Sequence, residues 1–181
     1  MSTTATEPVT GNWTIDTVHS HVGFSVKHMV VATFRGSFES YEGSLTAADG
    51  TPALQGKVQV DSLTVKDENL AAHLKSPDFF DSANHPEITF VSSDLTLGED
   101  GAVELEGDLT IKGNTHRVTA RGSYSGPHTD IAGNDKIGVE LEAVIDRREY
   151  GLEWNAPLPK GGFALDNDVK LEVSLELVKE A

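Results

Sequence analysis

Apolar and polar residues alternate with a period of two along most of this chain. Val22, Phe24 and Val26 alternate with Gly23, Ser25 and Lys27, and Leu54, Val58 and Val60 with Gln55, Lys57 and Gln59. Val103, Leu105, Leu109 and Ile111 are spaced by Glu104, Glu106, Asp108 and Thr110. Two runs are longer: Ile137 to Ile145, and Val169 to Leu177. Side chains of a strand point to opposite faces in turn, so each run describes a strand with one wet and one dry face. Phe34–Leu45 carries Gly36 and Gly43, which suggests a bend or bulge, and Ile88–Leu95 mixes apolar and hydroxyl residues on both faces. His116–Tyr124 sets Val118, Ala120 and Gly122 on its apolar side, small residues that leave room there.

Turn residues separate these runs: Asp49-Gly50, Glu99-Asp100-Gly101, Lys112-Gly113-Asn114 and Gly133-Asn134-Asp135. The pattern predicts about eight or nine strands, several longer than the ~5–6 residues usual in a flat sheet. Closing them into a barrel removes the exposed edges, and about eight staves enclose room for one small ligand. The expected fold is therefore all-β, an extended antiparallel eight-stranded up-and-down barrel. A short helical insertion is expected at Asp67–Lys75, with acids in its first turn, Lys75 at its end and Leu70 and Leu74 on one face. Pro77–Phe80 is expected to add another helical turn. Residues 147–163, rich in Gly and Pro, read as a long ordered loop. Residues 1–11 read as a frayed tail and 12–181 as one domain.

Composition narrows the function classes. The 14 basic and 29 acidic residues leave a formal net charge of -15, which repels phosphate backbones and anionic membrane surfaces. Nucleic acid is thus an unexpected partner. Cysteine is absent, and with it disulfides, thiolate nucleophiles and Cys-ligated metals. The segment from Met1 to Pro8 lacks a basic stretch followed by an apolar one, so a cytoplasmic location is expected. No run approaches the ~20 apolar residues of a membrane-spanning helix, and no stable membrane insertion is expected.

Few residues suggest chemistry. His19 and His21 lie two apart on an extended chain, but no ligand set of recognised spacing completes them, and no metal is expected. His28 continues the phase of Val22, Phe24 and Val26, so it is expected to face inward and to bond either a ligand or a backbone group. Six of the seven phenylalanines, Phe24, Phe34, Phe38, Phe79, Phe80 and Phe90, lie in the first half. They are either barrel core or cavity wall, and both readings hold for different members. Arg147, where a long strand ends, either pairs a ligand head group or clamps Asp146, Asp16 or a loop carbonyl. Trp154 is either an apolar lid or a packing residue. G-x-S-x-G, P-loop and G-x-G-x-x-G patterns are absent, and the acids fall on outward phases, so no catalytic residue is named.

Five motifs in order resemble the YceI-like family. They are Trp13–His28; Phe34-Arg-Gly36-Ser-Phe38 with Gly43; Asn69–Asp81 followed by His85-Pro86-Glu-Ile88-Thr-Phe90; Gly107–Thr115; and Arg147-Arg-Glu-Tyr150-Gly151-Leu152. The resemblance implies a lipocalin-like barrel with a long apolar pocket for a polyisoprenoid chain, closed at one end by the helical insertion. Together with the alternation, it points to ligand contacts from Val22, Phe24, Val26, His28, Phe34, Phe38, Leu70, Leu74, Phe79, Phe80, Phe90, Arg147 and Trp154. The expected function is binding, sequestration or transport of an isoprenoid quinone or polyprenyl phosphate, with no cofactor beyond such a lipid. A homodimer is left open. The rival is a barrel enzyme of cyclase or isomerase type, which needs an acid or base deep in the cavity. A third reading, a partner-binding protein with a vestigial cavity, needs a barrel filled by its own side chains.

Overall fold

The computed structural model describes residues 8–47 and 51–181. Ten strands follow one another: β1 (Asn12–His28), β2 (Ala32–Phe38), β3 (Tyr41–Thr46), β4 (Ala53–Gln59), β5 (Leu63–Thr64), β6 (Glu87–Leu97), β7 (Ala102–Ile111), β8 (Asn114–Thr129), β9 (Asp135–Asp146) and β10 (Leu165–Lys179). One helix, α1 (Glu68–Lys75), lies between β5 and β6. The β1–β10 pairing closes the sheet on itself.

The ten strands make eight staves of a closed antiparallel barrel. β2 and β3 form one stave, broken at Glu39–Ser40, and pair with the second and first halves of β1 respectively. β4 and β5 form another, interrupted by a 3-10 turn at Val60–Ser62. Each stave neighbours the next in sequence, as the expected up-and-down order requires. The bend expected between Phe34 and Leu45 is that break. The mixed pattern of β6 arises from a register shift between Ser92 and Asp94, which changes the phase from Ile88 and Phe90 to Leu95.

The barrel has two unlike ends. At the end holding the start of β1 and the end of β10, Trp13, Leu45, Leu54, Val103, Ile137, Leu175 and Leu177 pack into a solid plug. Trp13 is buried, and its indole N–H donates to the Thr10 carbonyl at 3.0 Å. The opposite end collects the β1–β2 tip, α1 with the turns after it, the tight Lys112-Gly113 turn and the segment between β9 and β10.

Asp67 caps α1, its side chain accepting from the Leu70 N–H at 2.9 Å. The helix ends at Lys75, and Pro77–Phe80 is a run of turns where another helical turn was expected. Phe80 N–H bonds back to Leu74 O, and both Asp81 and Phe79 N–H bond to Ser76 O, so the chain folds over its own helix end. The expected turns at 99–101, 112–114 and 133–135 are present, with Gly101, Gly113 and Gly133 at positive φ. The Asp49-Gly50 signal lies outside the described residues, as does the expected tail up to residue 7. No helix among the described residues is long and apolar enough to cross a membrane.

Candidate functional site

The inward phases do not fill the barrel. Between the plug and the α1 end lies a cavity of about 610 Å³. Its wall includes every residue that the sequence assigned to ligand contact: Val22, Phe24, Val26, His28, Phe34, Phe38, Leu70, Leu74, Phe79, Phe80, Phe90, Arg147 and Trp154. The opposite wall, built by Ala143, Ile145, Val169, Leu171 and Val173 of β9 and β10, was not assigned. The alternation that names those residues as inward was sufficient to find it.

Aromatic rings shape one side. Phe24 lies 6.0 Å from Phe38 and 6.3 Å from both Phe34 and Phe80, and Phe38 meets Phe80 edge-on at 5.9 Å. Phe24 can lie flat because its cross-strand partner is Gly36, where a Cβ would come within 2.6 Å of the ring. Phe90 covers Gly107 on β7 in the same way. Small inward positions here seat aromatic rings.

Gly122 has a different reason. It does not line the cavity, and a Cβ there would overlap the Glu140 carbonyl of β9. The expectation that it leaves room inside is overturned: it permits close approach of two strands. Val118 and Ala120 do face the cavity.

His28, His73 and Arg147 border the cavity near the α1 end, and Glu42, Gln55, Lys57, Thr89 and Glu142 border it along β3, β4, β6 and β9. His28 reaches the cavity, as its inward phase led one to expect, but is exposed. The register with β10 shifts between Val26 and His28, so β1 runs out at the rim just where His28 arrives. His73 of α1 touches Asp78 at 3.1 Å and meets Trp154 edge-on at 4.8 Å and Phe79 at 5.1 Å. Trp154, 37% exposed, thereby bridges α1 and the β9–β10 segment over the cavity.

Arg147 is 4% exposed. Its Nε donates to Asp166 O at 2.9 Å, and its Nη1 to Leu152 O at 2.6 Å and Trp154 O at 2.8 Å. Of the roles the sequence left open, the loop-carbonyl clamp is the one built. Asp146 pairs instead with Arg148, whose Nη2 lies 2.6 Å away and holds the Asp146 carboxyl below its ordinary range. Burial pushes the Arg147 guanidinium down from its ordinary value. Tyr150, from the same motif, is wholly buried against His116; its hydroxyl finds no partner among the described residues, and burial raises it to about 12.

Away from the cavity, His19 pairs with Asp16 at 2.9 Å and Glu176 at 3.1 Å. A bulge between Asp16 and His21 makes this possible, and no contact with His21 is involved. These three are the one group of potential metal ligands among the described residues. Lys136 Nζ, 3.3 Å from Glu176 and 3.8 Å from Asp16, already supplies a cation there.

The YceI-like domain model matches residues 13–177, nearly the whole barrel. The chain belongs to the YceI-like family. UPF0312 proteins of Staphylococcus aureus are similar: that of strain USA300 is 33% identical and that of strain N315 34%, each over 172 residues, covering 91% of this chain and 96% of the relative. Among solved structures, Burkholderia cenocepacia BcnA superposes with a TM-score of 0.76 at 20% identity, covering 90% of this chain and 98% of that one. A polyisoprenoid binding domain from Saccharophagus degradans, implicated in plant cell wall breakdown, gives 0.71 at 14% identity, covering 93% and 98%. At such identities these YceI-like neighbours bear on the fold alone.

Proposed function

We propose that this YceI-like barrel binds an apolar, isoprenoid-type ligand, a quinone or a polyprenyl phosphate, and sequesters or carries it. The observation that carries the reading is the cavity itself. Its volume of about 610 Å³ falls within the ~300–1,000 Å³ of small-molecule sites, and its wall is apolar on almost every stave. A vestigial cavity filled by its own side chains does not fit that space. A neighbour of the same fold is described as a polyisoprenoid binding domain, and the proposal extends that ligand class to this chain.

Burial drives the affinity. A prenyl chain covering ~400 Å² of apolar surface gains ~10 kcal/mol gross at ~25 cal/mol per Å², before ordering costs. Arg147 contributes less to the ligand than to the fold, because Nε and Nη1 are engaged by backbone carbonyls. Only Nη2, which has no hydrogen bond to another described residue, remains for a phosphate or quinone oxygen. The enzyme reading needs an acid or base deep inside. Here the two histidines of the wall are at the rim, and the acids bordering the cavity, Glu42 and Glu142, are exposed and paired with Lys57 and Lys170, which favours binding over catalysis.

The test is extraction of the purified, undenatured protein with organic solvent and mass spectrometry of the extract, followed by titration of ligand-free protein with a prenyl alcohol. A co-purifying isoprenoid, or saturable binding at one site, is expected. An extract free of isoprenoid together with no saturable binding overturns the proposal.

A further inference from the structure

The β1–β2 tip places three consecutive apolar side chains in solvent: Met29 at 45%, Val30 at 72% and Val31 at 86% exposure. Its backbone is strained as well. Met29 and Val30 both have positive φ, 53° and 67°. Hairpin turns that demand this at two successive residues favour Asn-Gly, and a β-branched valine in the left-handed region is a true outlier. A turn that served only to connect two strands gains nothing from Met-Val here. Strain combined with exposure indicates that the side chains have work outside the fold.

Their surroundings suggest what that work is. Met29 N–H donates to Ala164 O at 2.7 Å, which ties the tip to the segment carrying Phe163, itself 60% exposed. Immediately behind the two tips, His28, Ala32, Phe34, Ala164 and Leu165 line the cavity. The exposed apolar surface is therefore continuous with the cavity rim. Four side chains are far fewer than the roughly 20–30 residues per side of a stable protein interface. They suit shallow insertion among lipid acyl chains, where apolar tips carry the contact. Lys27 and Lys160, exposed beside the two tips, suit the phosphate layer above.

We propose that the Met29–Val31 tip and Phe163 dock the barrel mouth reversibly on a lipid bilayer. An apolar ligand then passes between bilayer and cavity without crossing water. The docking surface goes beyond the ligand reading and fails independently of it, because none of its four residues lines the cavity.

The test is co-sedimentation with phosphatidylcholine vesicles. Wild type is expected to sediment with them. The double variant Met29→Asn/Val30→Gly, which suits the turn better, is expected to melt at a higher temperature yet stay in the supernatant, and Phe163→Ser to sediment less. Prenyl-alcohol titration in vesicle-free buffer is expected to be unchanged in both. Wild type failing to sediment, or the double variant sedimenting as wild type does, overturns the proposal. So does a wild-type dimer in gel filtration that the double variant dissolves, since the tip is then a contact between copies.

Discussion

Replacing Arg147 by Met removes the guanidinium while keeping most of the side-chain volume. The structure makes this a stability variant first. Three hydrogen bonds from a buried cation are lost, and the carbonyls of Leu152, Trp154 and Asp166 are left without that donor. Each charge-assisted bond contributes ~1.5–3 kcal/mol taken singly, but three bonds from one group do not add. Desolvation of the cation, which Met does not suffer, offsets part of the loss. A net cost of ~3–5 kcal/mol follows, a large share of the ~5–15 kcal/mol of a typical domain. For a chain of this size that lowers the melting temperature by about 6–20 °C. Arg147→Lys keeps the charge, but one ammonium cannot span three carbonyls, so an intermediate loss is expected. Thermal unfolding followed by circular dichroism measures both. A loss below ~1 kcal/mol for Arg147→Met, with ligand binding abolished, refutes the clamp and makes Arg147 a ligand anchor.

Gly122→Ala forces a Cβ onto the Glu140 carbonyl, and the strained β8–β9 pairing is expected to cost roughly 1–3 kcal/mol in urea denaturation without altering ligand affinity. Ala120→Leu places extra carbons in the cavity and is expected to weaken prenyl-alcohol binding in titration while the folded circular dichroism spectrum persists. His19 has a raised pKa, chiefly from its bond to Asp16 and then from the charge of Glu176. A group whose folded-state pKa is raised contributes stability that is fully present below its ordinary value and is lost as pH rises through the raised value. Wild type is therefore expected to lose more stability than His19→Gln as pH rises from below the ordinary histidine value of 6.5 to well above it in paired denaturant titrations.

Much of this protein was legible before any coordinates. The alternation of Ile137–Ile145 and Val169–Leu177 is a local property of a pleated chain with one dry face, so strand identity and inward phase followed from it directly. The acid-first, Lys-last pattern of α1 and its Leu70–Leu74 stripe were local in the same sense. The residues assigned to ligand contact meet at one cavity because they share that inward phase, sit on the helical insertion or, for Trp154, lie on the β9–β10 segment packed against it.

What stayed hidden depends on partners distant in sequence. Gly122 looks like an inward small residue until the Glu140 carbonyl of the neighbouring strand is set against it. His28 keeps the inward phase, yet a register shift against β10 leaves it at an exposed rim. Pro77–Phe80 has the composition of a helix start, but hydrogen bonds back to Leu74 and Ser76 turn the chain over the helix end instead. Arg147 had several acceptors open to it by sequence, and the fold of residues 151–166 around its fork chose three carbonyls. Periodicity, which acts between near neighbours, determined the strands and their dry faces. Register and close approach, which act between staves, decided where the cavity lies and which residues hold it open.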